Sequence, residues 1–113
     1  MAIDPQEVIE AIDSESSRRI LAAASREPMT ASELEQALDV SLTTVYRQTN
    51  DLVEASFLEE ETEISPTGDN YTSFKTAVRH IEFTVEHGEF RVDIQFRNDT
   101  IDRFGQLWRS LGG

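Results

Sequence analysis

Apolar and polar residues alternate one by one between residues 79 and 97. Ile81, Phe83 and Val85 alternate with His80, Glu82, Thr84 and Glu86, and beyond His87-Gly88, Phe90, Val92, Ile94 and Phe96 alternate with Glu89, Arg91, Asp93 and Gln95. A period of two on both sides of a compact turn predicts a β-hairpin. With His87-Gly88 as a two-residue loop, Val85 opposes Phe90, Phe83 opposes Val92 and Ile81 opposes Ile94. All of these fall on one face, so the register is self-consistent. It also opposes Glu82 to Asp93, a mild like-charge cost.

Upstream, the period becomes helical. Asp4 can cap a first segment, PQEVIEAI, with Pro5 at its first helical position. Asp13 and Ser14 interrupt it and can cap again. From there SESSRRILAAASRE reads as helix, with Ile20, Leu21 and Ala24 on the apolar stripe and Arg18, Arg19, Arg26 and Glu27 mostly off it. Pro28 marks its end or the following turn. Thr30 and Glu33 form a capping-box pattern, and Leu34, Ala37 and Leu38 should share one side of the short helix that follows. Asp39 and Val40 connect to Ser41, which can cap LTTVYRQTNDLVEA. There the core positions are Leu42, Val45, Thr49, Leu52 and Val53.

Phe57 and Leu58 start a predicted strand that Thr62 to Ile64 extend. Pro66 to Asn70 is the strongest turn cluster in the chain. On the returning strand, Tyr71, Ser73, Lys75 and Ala77 share one face and Thr72, Phe74 and Thr76 the other. The result is a two-stranded ribbon with a loose tip. After the second hairpin, Asn98 can cap a final helix with a broad apolar stripe of Ile101, Phe104, Leu107, Trp108 and Leu111. Gly105 weakens that helix slightly but permits close approach by a neighbour.

Composition narrows the picture. A chain of 113 residues is enough for one compact domain, or one with a short annex. A second self-sufficient core is not expected at this size, so leftover apolar segments should find a partner chain. There is no cysteine, which excludes disulfides, thiolate catalysis and thiolate metal sensing. MAIDPQEVIE lacks the pattern of a signal peptide, and no run has the length of a membrane span, so a cytoplasmic location is expected.

Asp and Glu number 22 against 10 Lys and Arg, for a formal net charge of -12. Phosphate binding wants the opposite sign. Only Lys75 among the basic residues is a lysine, and acid excess with almost no lysine suggests a cytoplasm of molar salt, as in halophilic archaea. At 1 M salt the Debye length is about 3 Å, so long-range repulsion from DNA would be nearly gone.

Two helices joined by a turn of three or four residues, then a ribbon, is an order suited to DNA binding. The second helix of the pair, residues 42 to 55, would be laid in the major groove with its N-terminal part against base edges. Thr43, Thr44, Arg47 and Gln48 are expected to lie away from the Val45/Leu52 stripe. Arg47 can read guanine and Gln48 adenine through paired hydrogen bonds, whereas Ser41 and Thr43 suit phosphate. Tyr46 fits either a core edge or a DNA contact. Lys75, Arg18 and Arg19 are further candidates for phosphate contact.

At this point the chain resembles a known family. "IDSESSRRILAAAS" and, above all, "MTASELEQALDVSLTTVYRQTNDLVEASFLEEE" are similar to the winged helix-turn-helix regulators of the ArsR-like class, in the form common among haloarchaea. Thr30 and Glu33 open the second helix, Ser41, Val45, Tyr46 and Arg47 mark the recognition helix, and Leu52 and Leu58 lead into the wing. The resemblance covers about residues 14 to 76 and implies a dimeric transcriptional regulator. The chain departs from that pattern in three places. Ser56-Phe57 stands where a glycine is usual, the wing is acidic at Glu59, Glu60, Glu61 and Glu63, and the metal-sensing cysteines of some members are absent.

The expected architecture is therefore α+β: a winged helix-turn-helix over residues 1–78, then a β-hairpin and amphipathic helix over 79–113 that serve dimerisation and, if any, sensing. The last helix can cover the hairpin within one chain or across a two-fold axis. Pairing two recognition helices on a palindromic site favours an interface built from Phe83, Phe90, Ile101, Phe104, Leu107, Trp108 and Leu111. The expected partners are double-stranded DNA and a second copy, with no membrane, no cofactor and no named effector. His80 and His87 lie seven residues apart, about 20 Å in an extended segment, so one chain does not easily bring both to one metal. No phosphate loop, HExxH pair or serine elbow suggests an enzyme. A different reading keeps the fold but makes the acidic wing a surface for a basic protein partner.

Overall fold

Among the described residues, each helix begins at a polar cap. The computed structural model describes residues 4–97. Asp4 accepts from the Gln6 amide at the start of α1 (Pro5–Ala11), and Ser14 accepts from the Ser17 amide at the start of α2 (Glu15–Ala24). Thr30 and Glu33 form the full capping box of α3 (Ala31–Leu38), and Ser41 caps α4 (Leu42–Glu54) by accepting from the Thr44 amide. These side chains satisfy amides that the first helical turn leaves without a partner. The sequence placed all four caps.

The fold is mixed α+β, with two antiparallel sheets following and flanking the helices. The first sheet has the order β1-β3-β2, from β1 (Met29–Thr30), β2 (Leu58–Ile64) and β3 (Asn70–Thr76). The second is the hairpin of β4 (Val78–Glu86) and β5 (Glu89–Phe96). Pro28 follows the end of α2 and its turn, as expected, but the sequence expectation missed β1 directly after it. Met29 and Thr30 pair with Phe74 and Ser73, which makes β3 a central strand. A two-residue strand carries no periodicity to detect, and its pairing comes from the tertiary fold.

Ile20, Leu34, Val45, Leu52, Phe57 and Leu58 form the centre of the core, each at most 1% exposed. The stripe expected for α4 is present: Val45, Thr49 and Leu52 are buried, and Leu42 and Val53 pack at its margin. The stripe of α3 differs from expectation. Ala31 is buried with Leu34 and Leu38, while Ala37 is exposed. Positions 31, 34 and 38 lie on one stripe at helical spacing, and 37 falls to its side.

A Schellman turn carries the chain from α4 into β2. The Phe57 amide donates to the Leu52 carbonyl at 2.9 Å and the Ser56 amide to Val53 at 3.0 Å. Ser56 has a φ of 66° and so supplies the left-handed residue that glycine usually provides. This is how the bend is made without the missing glycine.

Ala77 joins the two sheets. Its amide donates to the Phe57 carbonyl at 2.9 Å, and its carbonyl accepts from the Arg97 amide. The Thr76 hydroxyl donates to the Leu21 carbonyl at 2.7 Å, fixing β3 to α2. The second hairpin has the predicted register, with Val85 opposite Phe90, Phe83 opposite Val92, Ile81 opposite Ile94, and Glu82 opposite Asp93. An irregularity between Val78 and His80 adds a residue to β4, so Val78 returns to the same face as Ile81. Val78 is in the core, and Ile81, Val92 and Ile94 pack against it. Toward the turn the same face opens to solvent, with Phe83, Phe90 and Val85 at 37%, 50% and 73% exposure.

Among the described residues, no helix is long and apolar enough to cross a membrane. The final helix expected after Asn98, with Ile101, Phe104, Leu107, Trp108 and Leu111, lies outside the described residues.

Candidate nucleic-acid interface

Helix α4 sorts its front half into capping, core and exposed positions. The Ser41 hydroxyl accepts from the Thr44 amide at 3.1 Å and donates to the Thr44 hydroxyl at 2.9 Å. Both side chains are therefore engaged in starting the helix. Thr43, Tyr46, Arg47 and Asn50 are exposed. Their spacing of three, four and seven places them on one face. Tyr46 is 55% exposed, which decides its position in favour of the surface over the core edge.

Gln48 does not lie on that face, contrary to expectation. It is 8% exposed, and its amide nitrogen donates to the Ser14 hydroxyl at 3.0 Å. Ser14 in turn donates to the Ser17 hydroxyl at 2.7 Å. Gln48 follows Val45 by three positions and so falls on the core side of the helix, where it ties α4 to the cap of α2. Its carbonyl oxygen has no protein partner in that buried site. Its side chain is spent on positioning the helix and is not presented on the exposed face.

The exposed face of α4 opens onto a cleft of about 800 Å³. Tyr46, Arg47 and Asn50 form one wall, Thr30 and Ser32 at the start of α3 border it, and the β2–β3 ribbon forms the other wall through Glu60, Asn70, Tyr71, Thr72 and Phe74. Arg47 and Glu60 are the charged residues of this lining, so its formal charges cancel, while the whole chain carries -12. More of the ribbon's acid lies outside the lining: Glu59 and Glu61 alternate with Glu60 and lie on the opposite side of β2, and Glu63 stands at the rim. At the cleft's rim the Tyr71 hydroxyl donates to the Glu63 carboxylate. That hydrogen bond, then the charge of Glu63, burial and the more distant charge of Glu33, raise the tyrosine's pKa above its usual 10.0. A phenolate beside a carboxylate would be a like-charge pair.

The remaining expected phosphate contacts are not brought to this cleft. Arg18 donates to the Ile12 carbonyl at 2.7 Å, at the end of α1. Arg19 donates to the Leu38 carbonyl at 3.2 Å, at the end of α3. A cation at a helix C-terminus satisfies a free carbonyl and complements the dipole, so both arginines are bound up in helix endings. Lys75 is exposed on β3 but pairs in register with Glu59, on the side of the sheet away from Phe74 and Thr72. Phe83 and Phe90 lie on the second hairpin with ring centroids 5.7 Å apart. His80 sits 3.6 Å from Glu82 and His87 4.0 Å from Glu86, at opposite ends of β4.

Asn50 and Tyr71 are the residues that reading the sequence overlooked as members of this surface. Asn50 was legible, since it follows Thr43 by seven and Arg47 by three. Tyr71 was seen only as one beat of an alternation, because its position beside the cleft depends on how the ribbon folds over α4.

In class, the molecule is an α+β protein in which a capped helix pair and a β-ribbon flank a charge-neutral cleft. The chain belongs to the family described as the HVO_A0261 N-terminal domain, which it matches over residues 6–82, more than half of its 113 residues. The match runs through all four helices and the first sheet and ends within β4. No curated protein matches the chain.

Proposed function

We propose that this chain is a sequence-specific DNA-binding transcriptional regulator that acts as a homodimer in the high-salt cytoplasm of an archaeal cell. In this reading α3 and α4 are a helix-turn-helix, α4 is the recognition helix, and the β2–β3 ribbon is the wing of a winged helix-turn-helix. The ArsR-like assignment rests on the residues quoted from the sequence. The observation that carries the function is the placement of Thr43, Tyr46, Arg47 and Asn50 on one exposed face of α4, opening on a neutral cleft in a strongly acidic chain. Arginine reads guanine and asparagine reads adenine from the major groove through two hydrogen bonds each. Asn50 takes the role that the sequence had offered to Gln48. Phe83, Val85 and Phe90 supply an exposed apolar surface on which a second copy can pack.

Selection from a random-sequence duplex library at molar KCl tests this reading. The wild-type chain is expected to enrich one sequence, and Arg47→Ala to lose about 1–3 kcal/mol of affinity for it with an unchanged circular-dichroism spectrum. Full specific affinity in Arg47→Ala would remove the arginine from the site. The acidic outer side of β2, with Glu59 and Glu61 exposed, favours a second reading as a module for a basic protein partner. In that case the selection enriches nothing.

A further inference from the structure

We infer that the cleft between α4 and the β2–β3 ribbon grips the sugar-phosphate strand with uncharged hydrogen-bond donors, so that affinity for the duplex depends only weakly on salt. The inference rests on the DNA-binding reading above and concerns how the same site works.

Among the described residues, the basic side chains other than Arg47 are placed away from the cleft. Eight basic residues fall within the described part of the chain, and Arg47 is the one that lines it. Arg18 and Arg19 hold helix-terminal carbonyls. Lys75 is on the other side of the ribbon sheet, and Arg97 donates to the Ser25 carbonyl at the end of α2. What the cleft offers instead is neutral. Ser32, Tyr46, Asn70 and Thr72 line it and are exposed. None of these four side chains is engaged in a hydrogen bond or ion pair among the described residues. Hydroxyls and amides of this kind are ordinary donors to phosphate oxygens.

The consequence for salt follows from counterions. A duplex releases condensed cations in proportion to the protein charges that neutralise its phosphates, and this release is what salt opposes. Neutral donors release none. Glu60 lines the same cleft, and a carboxylate beside phosphate retains a cation. Each subunit therefore releases at most what a single arginine does. A homodimer brings two such clefts to the duplex, so the slope of log affinity against log salt is at most about -1.8, a loss of no more than roughly 25-fold between 0.5 and 3 M KCl. A site built on four or more cations would lose on the order of a thousand-fold over the same range.

The test uses the full chain and, as probe, the duplex that selection enriches at molar KCl, titrated by fluorescence anisotropy from 0.5 to 3 M KCl. The expected result is a shallow slope, no steeper than about -2. A triple variant, Tyr46→Phe, Asn70→Ala and Thr72→Val, changes no charge and touches only exposed positions. It is expected to lose at least ten-fold in affinity at every salt concentration with the slope unchanged. A wild-type slope of -4 or steeper overturns the inference and leaves the regulator reading standing, as does a triple variant that binds as well as wild type. A chain that enriches no duplex overturns the regulator reading and this inference with it.

Discussion

The chain builds two antiparallel hairpins of similar length, and they differ in what their exposed ends present. Both are anchored at the base. Leu58, Phe74 and Thr76 bury the base of β2–β3, and Val78, with Ile81 and Ile94 packed alongside, anchors β4–β5. Both become exposed toward the turn. The free end of the first is mostly polar, with Glu61, Thr62 and Thr72 exposed beside Tyr71 and a single exposed aliphatic residue, Ile64. The free end of the second is apolar on one face, with Phe83, Val85 and Phe90. One backbone device thus serves two kinds of surface. A polar ribbon end is at rest in water and beside a polar ligand. An apolar one of this size leaves area that gains from being covered.

The strongest way to break this comparison is to truncate one apolar residue at each position along the gradient. Phe74 is 4% exposed at the base of the first hairpin, whereas Val85 is 73% exposed near the tip of the second. Phe74→Ala is expected to cost about 3–5 kcal/mol in urea unfolding, the cost of emptying a packed site. Val85→Ala should stay within about 0.5 kcal/mol in dilute solution, as surface changes do. Val85→Asp then asks whether the tip is covered by a second copy. Sedimentation should move from dimer toward monomer, with the circular-dichroism spectrum unchanged. If Val85→Asp sediments as the wild type does, the dimer contact lies elsewhere on the chain.

The two hairpins were not equally legible in the sequence. The register of the second could be written residue by residue, because its alternation is unbroken and one slip would turn every apolar side chain to the other face. The first hairpin's strands were legible as runs, but its position over α4 was not. That position depends on β1, two residues long, and on backbone bonds from Ala77, and neither leaves a period behind. Caps were legible because they are chemical: Asp4, Ser14, Thr30 and Ser41 each needed one side-chain oxygen at one place. The candidate site was half legible. Arg47 and Thr43 stood where helical spacing put them, but Gln48 sits one residue beyond Arg47, and that step of 100° carries it into the core. Arg18 and Arg19 were assigned to phosphate on their charge, but they donate to the carbonyls that end α1 and α3, Ile12 and Leu38, and the second of these pairings is made only by the tertiary fold.

The joints by which the hairpins leave the preceding structure sharpen the comparison. The second is entered through an extra residue in β4, the first through Ser56 at φ 66°. A side chain with a Cβ is strained in that region, and glycine is not. Ser56→Gly should therefore stabilise the chain by about 1 kcal/mol, with the Schellman bonds to Leu52 and Val53 retained. Thermal unfolding reads the gain directly. A loss of stability would mean that the serine side chain contributes more at this bend than its backbone costs.

The smallest effect belongs to the turn of the second hairpin. His87 and Gly88 both have positive φ, at 53° and 76°, the pattern of a type I′ turn. Asparagine is favoured over histidine at the first of these positions, because its short side chain tolerates the left-handed region. The His87 side chain is largely in solvent, 4.0 Å from Glu86 with side-chain exposure of 90%, so little is lost with it. His87→Asn is expected to add roughly 0.5 kcal/mol, the scale of a surface substitution. Hydrogen exchange at the amides of β4 and β5 should slow more than exchange in β2 and β3, because the gain is local to one hairpin. Equal slowing in both would show that the two hairpins open as one cooperative unit through Ala77, and the contrast between them would then be one of surface alone.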